Sequence, residues 1–538
     1  MVLILLTDIR RDNKKVCRLK KGNYSLSINL QIDNIMIRTL FFIALTVLTV
    51  YSHATEYNVL DFGAKNNGRD LTTSDIQKAI DKCNNEGGGC VFVPAGEYLV
   101  GTLNLKSNVE FHFETGAVLI ATTDLSQYQK NNEHLAGVFY TENANNVSIT
   151  GNGIIFGQGM EFMEKTVAKR IVGDVNNYIR QKFDFRKVEN GALGDGPVNP
   201  KERFHQMVIF SNCTDVSLSD FKCVDAPYWT ILIVHCDRVK VNKVQIDNNL
   251  LIPNSDGCDI ISSSNVNVSD CIFSCGDDAI VLAGYAHHFG DPGFKDILKP
   301  SKNINVDNCI FRSRSSAIRI GGWDQNHMSN YNFNNITIYD SNCGINLTVR
   351  DSGSIQNINF ANIRIETRMH TGDWWGNGEP IKISALRGVP NSPIGIIKNI
   401  SFSNISCTAE NSILMYASDE TVMENISFNN FNFELKKGLL EDVSGGNFDL
   451  RPNTVQGKEI YASNIPVIYI ENAKNVFFNQ GNIYWGKVDK KYYTNAIEAI
   501  KVNGLYLNNM TAQSSPSNPQ LPVVSLKDCK NVDNNVRK

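Results

Sequence analysis

The sequence has no excess of charge of either sign: 52 Lys and Arg face 55 Asp and Glu, a formal net charge of −3 over 538 residues. Without a basic run, the electrostatic footprint of a nucleic-acid partner is missing. Charged residues make up only 20% of the chain and hydrophobic ones 42%, a balance that excludes a disordered protein. The 13 cysteines follow no zinc-ligand spacing. The apolar run from Leu40 to Val50 is too short to span a bilayer comfortably. A regular repeat of about 40 residues with blade-closing motifs, the mark of a β-propeller, is also absent. What the chain does have is asparagine, 65 in all. Asparagine tolerates the left-handed backbone of tight turns. With so many cysteines, the composition points to a turn-rich, exported protein.

Residues 1–35 are basic and mixed, with no amphipathic period, and read as an upstream extension foreign to the exported protein. Met36-Ile37-Arg38, the apolar run and Ser52-His53-Ala54 form the three parts of a secretory signal peptide over 36–54. A single domain is then expected over 55–538, secreted or periplasmic, with no membrane association after cleavage. The competing reading of the apolar run is a membrane anchor. Triplets such as Asn399-Ile400-Ser401 fit glycan acceptors, but their place inside a repeat favours a structural role.

The repeat is short: a turn-forming polar residue, a β-branched one, a polar one, then an apolar one. It recurs as Asp215-Val216-Ser217-Leu218, Arg238-Val239-Lys240-Val241, Asn265-Val266-Asn267-Val268, Asn303-Ile304-Asn305-Val306, Asn357-Ile358-Asn359-Phe360, Asn399-Ile400-Ser401-Phe402 and Asn425-Ile426-Ser427-Phe428. The alternation is that of a strand with one buried face. The first three starts lie 23 and 27 residues apart, enough for three short strands and three turns. That is one coil of a single-stranded right-handed parallel β-helix, and it overrides the three or four domains that length alone would suggest. Wider gaps are read as loop insertions. Cys213 with Cys236, and Cys271 with Cys309, occupy equivalent places, fitting either disulfides or an apolar ladder. Cys83 and Cys90 close a short loop and are the better disulfide candidates. Ser74-Asp75-Ile76-Gln77 has a capping-box pattern, and Ile76, Ala79, Ile80 and Cys83 follow at helical spacing. Such a helix, ended by Gly87-Gly88-Gly89, suits the open apolar end of the coil as an N-terminal cap.

Two neighbouring coils carry the densest polar cluster, Asn254-Ser255-Asp256-Gly257-Cys258-Asp259 and Gly276-Asp277-Asp278. Asp256 and Asp277 are 21 residues apart and can share a face. Adjacent strand residues point oppositely, so Asp277 and Asp278 share the cleft only if the backbone bends, which Gly276 permits. Crowded carboxylates cannot all ionise easily. One protonated carboxyl beside an ionised one is the arrangement that cleaves glycosidic bonds. Turn aspartates and a Ca²⁺ site are the alternatives.

The chain resembles glycoside hydrolase family 28, the polygalacturonase family, over roughly residues 56–500. The likeness rests on Val59-Leu60-Asp61-Phe62-Gly63-Ala64, Gly87-Gly88-Gly89 with Val93-Pro94-Ala95-Gly96, Pro227-Tyr228-Trp229-Thr230, Asn254-Ser255-Asp256-Gly257 and Gly276-Asp277-Asp278. The resemblance implies an all-β, pectin-lyase-like right-handed parallel β-helix and inversion at the anomeric carbon. It also implies Asp277 as general acid, with Asp256 and Asp278 positioning and deprotonating water. Asn254 belongs to the same motif and is a substrate-binding candidate.

Two family motifs are missing. Ser316 stands where the family shows a His, in Ser315-Ser316-Ala317-Ile318-Arg319-Ile320-Gly321. The carboxylate-binding Arg-Ile-Lys is replaced by Asn346-Leu347-Thr348. Neither Asn nor Thr supplies the fixed cation that a uronate needs. Arg319 and Arg350 are the candidate substitutes; the alternative for each is a surface arginine. Trp374 and Trp375, in a glycine-flanked loop, either stack on sugar rings or seal that loop. Trp323-Asp324 and Trp229 are weaker candidates.

These readings combine into a secreted, monomeric, cofactor- and metal-independent inverting hydrolase acting on a polysaccharide or oligosaccharide. Branched pectin, or another galactose- or uronate-containing glycan, fits better than unsubstituted polygalacturonan. The segment 156–206 is long enough to block one end of the cleft and give exo-action. Two alternatives stand beside this reading: a Ca²⁺-dependent polysaccharide lyase, and a non-catalytic glycan-binding β-helix.

Overall fold

The computed structural model describes residues 17–21, 24–28, 55–131, 133–168, 198–285, 291–294, 299–323, 326–370, 374–441, 446–450 and 460–538. The chain divides into two compact units, Met1–Thr55 and Glu56–Lys538. In the first, Cys17–Lys21 pairs antiparallel with Tyr24–Ile28. The expected leader, 36–54, lies outside the described residues, as does most of the 156–206 insertion. No helix among the described residues is long and apolar enough to cross a membrane.

The second unit is a right-handed parallel β-helix, of which 33 strands among the described residues hydrogen-bond coil to coil. The short repeat is the second strand of each coil. Val216, Val239, Val266, Ile304, Tyr331, Ile358, Ile400, Ile426, Val476, Leu505 and Val532 form one uninterrupted inward column. The first residue of each of the predicted repeats bends the chain. Asp215, Arg238, Asn265, Asn303, Asn357, Asn399 and Asn425 all have φ between 55 and 58°. Of 35 non-glycine residues with positive φ among those described, 21 are asparagine. Only a short polar side chain that bonds locally enters this region at low cost.

Those asparagines also join the coils. The side-chain amide of each donates to the carbonyl oxygen of its predecessor: Asn303 to Asn265 at 3.1 Å, Asn330 to Asn303 at 3.2 Å, Asn399 to Asn357 at 2.9 Å and Asn425 to Asn399 at 3.1 Å. This places Asn399 in the ladder, the structural role expected of its triplet. Inside, Phe333, Phe360, Phe402, Phe428 and Phe478 stack with centroids 4.5–4.8 Å apart. That is the spacing of parallel strands.

The N-terminal helix α1 (Thr73–Asn85) buries Ile76, Ala79, Ile80 and Cys83 against the first coils, as its spacing predicts. Its start differs from expectation. Thr72, not Ser74, is the N-cap, and it makes no capping bond with its side chain. The Thr72 hydroxyl instead accepts the Lys65 N–H at 3.1 Å, tying the helix entry to the preceding loop. The expected Cys83–Cys90 disulfide is also absent; both are free thiols. Cys83 lies on the inner face of the helix, whereas strand alternation turns Cys90 away from Val91 and Val93. Cys213, Cys236, Cys271 and Cys309 are free and buried, so the apolar-ladder reading holds for them.

Phe402→Ala should lower unfolding free energy by about 3–5 kcal/mol, because the ring stacks on both neighbours and its loss leaves a cavity. Asn399→Ala should cost about 1–2 kcal/mol from left-handed strain. Asn399→Gly, which relieves that strain, should cost less, as read from urea midpoints.

Candidate active site

The site forms where the third strand of each coil turns into the first strand of the next. Asp256 lies between strands Gln245–Asp247 and Cys258–Ile261, and Asp277 and Asp278 between Ile272–Cys275 and Ile280–Ala283. Cys258 pairs with Ile280. The coil-equivalent partner of Asp256 is therefore Asp278 rather than Asp277, which was expected from the 21-residue spacing. Asp277 reaches the same place because the chain kinks. The Ser313 hydroxyl donates to the Asp277 carbonyl at 2.6 Å, and the Gly276 N–H donates to the Ser255 hydroxyl at 3.1 Å. Gly276 serves close approach: a Cβ there would meet Ser255 Oγ at 2.4 Å.

One oxygen from each of Asp256, Asp277 and Asp278 lies within 4.8 Å of the others, and all three side chains are buried. Their surroundings differ. Asp278 accepts the Ser316 N–H at 2.7 Å and pairs with the Arg319 guanidinium at 3.1 Å. Asp277 accepts backbone N–H groups of Asp278 at 3.0 Å and Asn254 at 3.3 Å. Asp256 Oδ1 has no partner among the described residues. Burial first, and the neighbouring charge of Asp277 second, raise the Asp256 pKa well above the carboxylate range. The cluster thus keeps a proton that exposed aspartates would lose. Three convergent carboxylates can also hold a divalent cation, but the guanidinium on Asp278 competes for that charge.

Asp259 is a fourth member that the sequence reading left without a role. It is 1% exposed, its Oδ2 lacks a partner among the described residues, and burial with the charge of Asp278 raises its pKa. Its place three residues past Asp256 was the available signal. Arg203 had no such signal. It donates to the carbonyl of Pro253 at 3.0 Å and to the Asn254 side chain at 3.1 Å, and lies 4.7 Å over the Tyr228 ring. Burial lowers its pKa to about 10. Asn254 therefore contributes its backbone N–H to Asp277 while Arg203 holds its side chain.

The candidate cation substitutes separate. Arg319 is not a surface residue; its charge is engaged by Asp278. Arg350 is buried too, at 4% exposure, on the same strand face as Asn346 and Thr348. Around the motifs that differ from the family lies a neutral network. Asn346 donates to Ser316 Oγ at 3.3 Å, Thr348 donates to Asn346 Oδ1 at 2.7 Å, and Thr348 and Ser384 hydroxyls meet at 3.0 Å.

Trp374 is 1% exposed and so seals its loop rather than presenting a ring to a sugar; Trp375 is half-buried. The loop is bolted down by Gly376 N–H to Asp449 at 3.0 Å, Asn377 N–H to Glu379 at 2.5 Å and the Asn377 amide to the Asn447 carbonyl at 2.6 Å. Trp229 stacks on Tyr228 with centroids 5.6 Å apart and stays partly exposed. The Trp323 side chain and Asp324 lie outside the described residues.

Comparison with known proteins bears on the family and the fold. The chain is 28% identical to the exo-poly-α-D-galacturonosidase of Dickeya chrysanthemi over 262 residues, 42% of this chain and 41% of that protein. It is 24% identical to an exopolygalacturonase of Zea mays over 229 residues, 42% of this chain and 48% of that protein. The chain thus spans less than half the length of the curated relatives it matches. The fold is similar to the family 28 exopolygalacturonase of Yersinia enterocolitica, with a TM-score of 0.55 at 16% identity, covering 91% of this chain and 80% of that one. The sequence profile of Glycosyl hydrolases family 28 matches residues 83–444, more than half of the chain. The protein belongs to glycosyl hydrolase family 28.

Proposed function

We propose that this family 28 glycoside hydrolase is exported and cleaves a pectic or related galactose- or uronate-containing glycan with inversion. Residues 36–54 would be its signal peptide. The observation that carries the reading is the unequal environment of three buried carboxylates within 4.8 Å of one another. Asp277 protonates the leaving oxygen, while Asp256 and Asp278 hold and deprotonate the attacking water. In the free protein burial favours the protonated form of Asp256, whose Oδ1 has no partner among the described residues. Substrate binding brings the leaving oxygen to Asp277, which then takes up the proton within the cluster. Arg319 fixes Asp278 for its share of the work.

The carboxylate oxygens are closer than the ~6.5–9.5 Å usual for inverting pairs. Here two carboxylates share one water, so the acid-to-base distance no longer measures the room left for it. Proton NMR of the first product should show the inverted anomer; a retained anomer would overturn the water-activating role of the pair. The network of Ser316, Asn346, Thr348 and Ser384, standing where the family has its cations, supports a substrate other than unsubstituted polygalacturonan at that subsite. A glycan panel read by reducing-sugar release should favour branched pectins over homogalacturonan. An ultraviolet-absorbing unsaturated product would point to a lyase instead.

Asp277→Asn should cut kcat by about 10²–10⁴ while leaving the fold unchanged by circular dichroism. Substrates with an acidic leaving group, which need no proton, should recover much of that loss. Asp256→Asn should show no such recovery; the opposite pattern would exchange the two roles.

Glu379, which receives the Asn377 N–H, is pushed up to about 6 by burial first and Asp449 second. The folded state therefore binds this proton more tightly than the unfolded chain does. That contribution is full below pH ~4.5 and is lost as pH rises through about 6. Glu379→Gln should flatten the decline by about 2 kcal/mol, measured as unfolding free energy across pH 4 to 8.

A further inference from the structure

Upstream of the aspartates, three segments distant in sequence bring together groups that the hydrolytic reading does not use. His134 sits in the short strand His134–Leu135, His205 leads into strand Val208–Ser211, and Asp291 follows strand Ile280–Ala283. The backbone locks these segments to one another. The His205 N–H donates to the Leu135 carbonyl at 2.9 Å, and the Ser211 hydroxyl donates to the Gly293 carbonyl. His205 Nδ1 lies 2.5 Å and His134 Nε2 3.9 Å from the same oxygen of Asp291. The two imidazoles stack with centroids 3.9 Å apart, and His205 in turn stacks on Tyr228 at 4.5 Å. The Asp291 side chain is 5% exposed, while His205 and His134 are 17% and 34% exposed. The cluster thus has a buried carboxylate at its base and an open side.

We propose that His134, His205 and Asp291 form a zinc-type divalent metal site with one coordination position open to the cleft, where it takes a carboxylate oxygen of a uronate-bearing glycan. Two imidazoles and one carboxylate suit a borderline transition ion rather than Ca²⁺ or Mg²⁺. Ligand atoms at Zn–N and Zn–O distances of about 2.0–2.2 Å in tetrahedral geometry are roughly 3.3 Å apart. The 2.5 Å contact would open by about 0.8 Å and the 3.9 Å one close by about 0.6 Å. The two imidazoles, now stacked with centroids 3.9 Å apart, would have to separate and turn as the ion enters.

The register places the site on the cleft. Val208, Ile231, Cys258 and Ile280 are successive partners. His205 therefore stands three residues before the same column as Tyr228, Ser255 and Asp277. Three coils separate His205 from Asp277, about 14 Å at the spacing of parallel strands. A cation there would supply positive charge in a cleft where Asn346 and Thr348 replace the family's cations and Arg319 is engaged by Asp278. This glycan contact rests on the proposed polysaccharide substrate; the metal site does not.

The test is calorimetry of the chelator-stripped full chain with Zn²⁺ alone, with metal content measured by plasma mass spectrometry. One equivalent should bind. His205→Ala and His134→Ala should each weaken binding at least 100-fold, while Asp277→Asn should leave it unchanged. No stoichiometric binding, or binding that survives both histidine variants, would overturn the site. Binding lost only in Asp277→Asn would move the ion to the aspartate cluster and overturn it equally. A galacturonate oligosaccharide should bind the zinc-loaded protein at least tenfold more tightly than the stripped one. Equal affinities would overturn the glycan contact while leaving the metal site and the hydrolase reading standing.

Discussion

Every later feature of this protein depends on the in-register stacking of parallel strands. A strand spacing of about 4.8 Å repeats coil after coil. Any residue type at a fixed offset within the coil therefore becomes a column. Phenylalanines become a stack with centroids 4.5–4.8 Å apart, and turn asparagines become an amide ladder. A column has to satisfy itself along its whole length. An asparagine can do so because it both donates and accepts, passing one hydrogen bond to each neighbour. The same residue solves the second problem of the coil, a corner that needs positive φ. One side chain meets two constraints, which is why asparagine is so abundant.

The candidate active site is the place where this regularity is broken. At the turn from third to first strand, columns stop repeating one residue type and carry a sequence of different groups. The column through Asp278 runs from Gln206 through Trp229 and Asp256 to Ser316, since Val208, Ile231, Cys258, Ile280 and Ile318 are register partners. Stacking that elsewhere brings like with like here brings carboxylates together, and the fold supplies the stability to hold them. Burial then does the chemical work. It raises the pKa of Asp256 and of Asp259, while the Arg319 guanidinium lies beside Asp278.

The repeat was readable because its signal is local: four residues suffice to show the bend and the buried face. The capping helix was readable for the same reason, although its exact start was not, since Thr72 is held by Lys65 from outside the helical pattern. Asp256, Asp277 and Asp278 were found as a motif, but their pairing was one residue off, because spacing along the chain does not reveal the kink at Gly276. Arg203 and the His134–His205–Asp291 group were missed for a different reason. Their partners lie 23 to 157 residues away, in loops and a two-residue strand, where no periodicity announces a neighbour. Trp374 shows a choice that the sequence left open. A conspicuous side chain in a glycine-flanked loop suits either a sugar platform or a seal, and bonds from the loop to Asp449 and Asn447 draw it down and bury the ring.

Columns also explain how catalysis and specificity can part company in one family. Asp278 shares a column with Ser316, and Arg319 shares the column three residues further on with Asn346 and Lys382. Replacing a residue on one coil changes what a neighbouring sugar meets without moving the strand beneath it, because the backbone ladder holds the register. The acids can therefore be kept intact while the family's His, Arg and Lys positions become Ser, Asn and Thr. Those three then bond to one another, so the exchange leaves no buried polar group stranded at that point. Under the proposed function, a cleft altered in this way would keep its reaction while the sugar it prefers changes.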